Sequence, residues 1–392
     1  MTLLPLVTLL LAGSCLGAPP PAPSTGARTV DGITAIYNLG DSLSDTGNLA
    51  RQGATGLLQH TTRLPYGVTV GRATGRCSDG YLMIDFLARD LGLPQLNPYL
   101  DKGADFTHGV NFAVAGATAL STAALAAKGI TVPHTNSSLD VQLAWFKEYM
   151  SSVANSPREI REKLANSLVM VGEIGGNDYN YAFLQTRPNG RWIQHHQRDT
   201  HDRKHGKGRR TYTRNRADVL DMGAVRVVIP GNFPLGCVPS YLIAANVTDP
   251  SAYDGQGCLD ALNLFARLHD AWLRRAVLEL RRAYPGATVA YADYFAAYVE
   301  LLGEARAAEH GFDRRVAMRA CCGAAAGEAA GGAYGFDLRA MCGAPGTTAC
   351  EDPSRYVSWD GVHLTQHAYG ATAELLFHGG LVDPPPINFT RS

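Results

Sequence analysis

Five short runs of the chain are apolar at nearly every position: ITAIYN (Ile33–Asn38), GVNFAV (Gly109–Val114), SLVMVGE (Ser167–Glu173), VRVVIP (Val225–Pro230) and ATVAYAD (Ala287–Asp293). A strand with one wet face alternates polar and apolar residues. An unbroken apolar run suits a strand covered on both faces, as in a parallel sheet. Between these runs lie longer stretches in which apolar residues return at helical spacing: SDGYLMIDFLARDLG, SLDVQLAWFKEYMSSV, CLDALNLFARLHDAWLRRAVLELRRAY and TQHAYGATAELLFHGG. The alternation predicts an α/β fold, a parallel sheet with helices on both faces. No internal repeat is present, and the low-complexity pieces are Pro19–Pro23, Gly323–Gly332 and Pro384–Pro386.

Composition adds little until charge is resolved along the chain. The 392 residues are 46% hydrophobic and 18% charged, as a packed globular protein requires. Formal net charge is zero, but ten Lys/Arg and two Asp/Glu fall between Arg187 and Arg216. The remainder holds 25 basic against 33 acidic residues. A mildly acidic body argues against a binder of nucleic acid or of an anionic membrane.

The N-terminus, MTLLPLVTLLLAGSCLGA, reads as a secretory signal over residues 1–17, with small residues at Cys15 and Gly17 before a cut at Ala18. Its apolar core is too short to span a bilayer, so no stable membrane span is expected. Three sequons, at Asn136, Asn246 and Asn388, fit export and glycosylation. Removal of the signal leaves Cys77, Cys237, Cys258, Cys321, Cys322, Cys342 and Cys350. In an oxidising compartment most should pair, with one left over. The expected plan is a leader over 18–30, one domain over 31–381 and a tail over 382–392.

In a parallel sheet ligands sit beyond the carboxyl ends of the strands, so the residues after each run are where chemistry is sought. After the first run comes NLGDSLSDTGN, with Ser42 in a Gly-Asp-Ser turn that exposes its hydroxyl. After the second, VNFAVAGATAL offers an unobstructed backbone N–H at Gly116. After the third, GEIGGNDYNYA places the Asn177 amide after two glycines. Near the end, WDGVHLTQHAYG sets Asp360 three residues before His363, which lets a carboxylate fix an imidazole tautomer. Each piece alone reads as an ordinary turn, packing glycine or helix cap. Together they make a hydroxyl nucleophile, a base, an orienting acid and oxyanion donors, the inventory for acyl transfer through a covalent intermediate.

The blocks NLGDSLSDTGN, NFAVAGAT, GGNDYNYA, PGNFPLGCVP and WDGVHLTQHAYG resemble, one for one, those of the plant GDSL esterase/lipases of the SGNH-hydrolase superfamily. The resemblance runs from Ile33 to Gly379 with one gap. It implies a three-layer α/β/α, flavodoxin-like domain. It also implies Ser42 as nucleophile, His363 as base and Asp360 as its orienter, with the Ser42 N–H, the Gly116 N–H and the Asn177 side chain as oxyanion hole. No metal and no cofactor is implied. The expected protein is a secreted, extracellular monomer (apoplast or cell wall) hydrolysing a small-molecule or lipid ester. An acyltransferase using the same acyl-enzyme and a non-catalytic secreted binding protein are the alternatives. Two departures are noted: Tyr81 stands where relatives often carry a basic residue, and Cys77 where many have an aromatic, neither touching the proposed chemistry. Cys237 is expected to pair with Cys258. Cys321, Cys322, Cys342 and Cys350 keep three possible connectivities.

The gap is the basic stretch. A crossover helix is needed between the third and fourth strands. Residues 186–218 hold only Trp192, Ile193, Tyr212 and Ala217 as apolar positions, not at helical spacing. A nucleic-acid arm is at odds with the acidic body. A metal site from His195, His196, His201 and His205 lacks framing acidic or Cys ligands. A solvated loop or a gene-model fault, such as a retained intron, remains, and either predicts that one sheet face lacks its cover. Sequencing the transcript across this segment separates the two.

Overall fold

The computed structural model describes residues 30–172, 174–184, 217–324, 334–337 and 339–389. Five strands form a parallel set: β1 (Ala35–Leu39), β2 (Gly109–Asn111), β3 (Ser167–Val171), β4 (Arg226–Pro230) and β5 (Thr288–Ala292). A separate antiparallel hairpin pairs β6 (Cys322–Ala324) with β7 (Thr347–Ala349). The two-residue strand β8 (Val382–Asp383) runs antiparallel to β5 at the sheet edge, giving the order β2-β1-β3-β4-β5-β8. Four of the five parallel strands lie within the predicted runs, and β1 runs one residue past its own, to Leu39.

Successive residues of a strand point to opposite faces, and each face has its own core. Ile36, Leu168, Met170, Val228, Ala290 and Ala292 pack with α1 (Met83–Asp90), α6 (Tyr294–Leu302) and α7 (Gln366–Phe377). On the other face Tyr37, Leu39, Val169, Val171, Val227 and Ile229 meet α2 (Leu139–Val153), Leu164 of α3 (Pro157–Ala165) and the C-terminal half of α5 (Asp260–Ala283). The helix α4 (Gly176–Phe183) follows β3 directly. The result is the three-layer α/β/α arrangement with a central, mostly parallel sheet.

The expectation that a sheet face lacks its cover is not met. Every residue of β3 is buried, as is β4 from Val227 onward. Residues 217–221 are helical, and Val219 and Leu220 pack into the second core with Leu273, Val277 and Leu280 of α5. Cover that the sequence pattern did not reveal in 186–218 is thus partly supplied by the end of that window and by α5. Residues 185–216, with His195, His196, His201 and His205, lie outside the described residues, as do the leader residues 1–29.

The tail also departs from expectation. Val382 and Ile387 are buried in the first core, so packing continues past residue 381. Three disulfides form: Cys237–Cys258, Cys321–Cys350 and Cys322–Cys342. Cys77 is left as a buried free thiol. The backbone of Cys321 and Cys322 donates to the carbonyls of Ser358 and Trp359, so the doubly bridged hairpin is fastened to the residues just before Asp360.

Candidate active site

The turn after β1 is held from several sides. Gln142 of α2 reaches across to Gly40, accepting its N–H at 2.9 Å and donating to its carbonyl at 2.8 Å. The backbone N–H groups of Ser44 and Asp45 fold back onto the Asp41 carbonyl. Asp45 then gathers four backbone N–H groups: Gly47 and Asn48 on one oxygen at 2.7 and 2.6 Å, Leu49 and Ala115 on the other at 3.0 and 2.8 Å. Asn48 donates to the carbonyls of Asn111 and Ala113, and the Asn111 amide donates to Ser44. The turn that carries Ser42 and the loop after β2 are therefore one hydrogen-bonded unit. Asp45, Asn48, Asn111 and Gln142 escaped the sequence reading. Asn111 and Gln142 are marked only by their polarity inside apolar segments, while Asp45 and Asn48 look like ordinary turn residues in NLGDSLSDTGN.

Ser42 sits at the centre, 6% exposed. Its Oγ lies 2.8 Å from Nε2 of His363, and Nδ1 of His363 lies 2.7 Å from Oδ2 of Asp360. His363 and Asp360 are on the loop before α7, whose N-cap is Thr365 rather than Asp360. Asp360 instead caps its own loop, with Oδ1 accepting from the N–H groups of Val362 and His363 at 3.0 and 2.8 Å. Desolvation pushes the Asp360 carboxyl up. The charge and hydrogen bonds of His363, helped by Tyr66, outweigh it, so the acid is held below its usual range.

Among the described residues nothing accepts from the Ser42 or Gly116 N–H. Gly116 has φ +82°, and a Cβ there would stand 2.8 Å from Cβ of His134 and 3.0 Å from the Tyr181 hydroxyl. That hydroxyl donates to the Gly116 carbonyl at 2.8 Å, and the Ala117 N–H on the same peptide donates to the Val114 carbonyl at 3.0 Å, so the backbone around Gly116 is held from two sides. Asn177 occupies the first turn of α4, but its amide is partly engaged: it donates to the Ala117 carbonyl at 2.9 Å and stands 3.4 Å from Asp41 Oδ2. Burial raises the carboxyls of Asp41 and Asp178 to about 7; His363 pulls Asp41 back.

The departure at Cys77 is closer to the chemistry than expected. Burial pushes its thiol well up, and the next contribution is the Asp360 charge. Tyr81 uses its backbone N–H to hold Gln366 of α7. The side chains of Asn136, Asn246 and Asn388 are exposed; Thr390 of the last sequon lies outside the described residues. Among the described residues no helix is long and apolar enough to cross a membrane.

Residues 36–376 match the sequence profile of the family described as GDSL-like Lipase/Acylhydrolase. Acetylajmalan esterase of Rauvolfia serpentina is 41% identical over 346 residues, covering 88% of this chain and 85% of the relative. Acetylajmalan esterase 2 of the same plant is 41% identical over 350 residues, covering 89% and 90%. A GDSL esterase/lipase of Arabidopsis thaliana is 39% identical over 357 residues, covering 90% and 88%.

Proposed function

Because the chain belongs to the GDSL-like lipase/acylhydrolase family and is a carboxylic ester hydrolase, we propose that it works through an acyl-enzyme on Ser42. His363 Nε2 takes the hydroxyl proton as Ser42 Oγ attacks the ester carbonyl. The oxyanion forms against the N–H groups of Ser42 and Gly116, with the Asn177 amide swinging from Ala117 toward it. His363 then returns the proton to the departing alcohol. Water, deprotonated by the same imidazole, releases the acid and restores Ser42. Asp360 keeps Nδ1 protonated, so that Nε2 is free to accept, and it stabilises the imidazolium when that forms. The observation that carries the reading is one imidazole bridging a hydroxyl at 2.8 Å and a buried carboxylate at 2.7 Å.

The substrate side is an ester of a small molecule. Relatives bear the name acetylajmalan esterase, which supports a short acyl group for this chain, and p-nitrophenyl acetate and butyrate are suitable probes. Secretion to the cell exterior as a single-domain, signal-bearing glycoprotein is part of the same proposal, supported by three disulfides and three exposed Asn side chains in sequons.

The test is hydrolysis of both esters by the purified chain beside Ser42→Ala. Loss on the order of 10³-fold or more in kcat is expected. Ser42→Ala turning over at the wild-type rate sinks the acyl-enzyme reading.

A further inference from the structure

Asp360 has four acceptor directions, and three are filled from its own loop: the Val362 and His363 N–H groups on Oδ1 and His363 Nδ1 on Oδ2. The fourth is filled from 294 residues away, by the Tyr66 hydroxyl at 2.8 Å on Oδ2. Tyr66 is fully buried, its ring set edge-on against Trp359 with centroids 6.1 Å apart.

The segment that carries Tyr66 is fastened to the segment that carries His363. The Gly67 N–H donates to the Ser78 carbonyl at 3.0 Å, and the Ser78 hydroxyl donates to the Leu364 carbonyl at 3.1 Å. Asp79 accepts the Gln366 N–H at 2.6 Å. Gly67 bends the chain at φ +75°, where a Cβ would lie 2.0 Å from the Arg72 carbonyl oxygen. Nothing here merely fills space: the loop is bonded so that one phenol meets one carboxylate oxygen.

We propose that Tyr66 is a positioning residue for ester cleavage, its hydroxyl sharing Asp360 Oδ2 with His363 and so setting how strongly the carboxylate holds the imidazole. The inference rests on the Ser42 acyl-enzyme reading. The titratable groups facing Asp360 are His363 on its own loop and Tyr66 and Cys77 on the preceding one, while Asp41 acts on His363 from the nucleophile turn. Burial and the Asp360 charge push the phenol well above its ordinary value, and the thiol likewise. Both therefore stay protonated across the working range, and Tyr66 can only donate.

Removing the hydroxyl leaves a lone pair on Oδ2 facing apolar surroundings. The carboxylate becomes more basic and holds a protonated His363 more tightly, so the coupled pair gives up its proton at higher pH. Tyr66→Phe keeps the ring against Trp359. It is expected to lower kcat on the order of tenfold, leave KM within about twofold, and move the acid limb of kcat/KM upward by about half a unit. A more acidic phenol, 3-fluorotyrosine at position 66, preserves the packing and is expected to move that limb down. In an Asp360→Asn background Tyr66→Phe adds little further loss, because the shared oxygen is gone.

The downfield imidazole N–H resonance, read in Ser42→Ala with and without Tyr66→Phe, is expected to move. It needs no turnover, so a failure of the serine reading and a failure of the Tyr66 role register separately. An unmoved acid limb in both Tyr66 variants, or losses that multiply with Asp360→Asn, would overturn the proposal. A lowered melting temperature with an unmoved limb would make Tyr66 structural only and overturn it equally.

Discussion

Asp45 offers a quantitative test of how the nucleophile turn is held. Asp45→Asn changes one atom. A carboxylate gives two oxygens to four N–H donors, whereas an amide keeps one oxygen and turns an NH₂ toward the other pair. Whichever way it sits, two buried donors lose their acceptor: Gly47 with Asn48, or Leu49 with Ala115. Each orphaned group costs about 1–3 kcal/mol, hence ~2–6 kcal/mol together. Some returns because a desolvated charge is removed; burial pushes this carboxyl up, while its four donors pull it down. The net expected loss is about 3 kcal/mol, a large part of a typical domain's stability. Urea unfolding at pH 7 measures it. In the orientation that orphans Leu49 and Ala115 the variant also frees the neighbour of Gly116, and displacing that proposed oxyanion donor by a fraction of an ångström should lower kcat/KM on the order of 10–100-fold. A variant within ~0.5 kcal/mol of the parent, with unchanged kcat, would refute the idea that this carboxylate ties the turn to the loop after β2.

Two further expectations follow from the site. Gly116→Ala puts a side chain at φ +82° and against His134 and Tyr181, so a stability loss of ~1–3 kcal/mol with a fall in kcat on the order of 100-fold is expected from melting curves and steady-state kinetics; near-normal kcat would remove the Gly116 N–H from the oxyanion hole. Asp178, raised to about 7 by burial, keeps a proton in the fold that the unfolded chain has released above ~pH 4. Its contribution is therefore present at low pH and lost as pH rises through 7. The stability advantage of the parent over Asp178→Asn should shrink between pH 5 and pH 8, and an advantage that grows with pH would contradict the assignment.

Much of this was legible because burial on two faces leaves a simple trace. β1, β3, β4 and β5 appear as apolar runs, and α1, α2, α5 and α7 as periodic ones. Where geometry diverges from that trace, the reason is local. The run Gly109–Val114 pairs only as far as Asn111, because Asn111 and Ala113 are diverted to hold Asn48 and the chain then turns to present Gly116. The strand β8 has two residues, too few for any period. The Asp360–His363 pair could be read from a three-residue spacing, whereas Tyr66 could not, since its partner is 294 positions away and a tyrosine among apolar residues looks like core. Vicinal Cys321 and Cys322 leave pairing undecided in sequence, and only the hairpin geometry assigns Cys350 to one and Cys342 to the other.

Ser42 and His363 are 321 residues apart. Synthesised at about 5–20 residues per second, the chain displays its hydroxyl roughly 20–60 s before the imidazole that would activate it exists. On the Ser42 acyl-enzyme proposal a nascent chain is thus harmless to the esters around it, and any truncation that ends before His363 is a silent one. Hydrolytic competence arrives only with the last strokes of translation, which makes turnover itself a readout of complete synthesis.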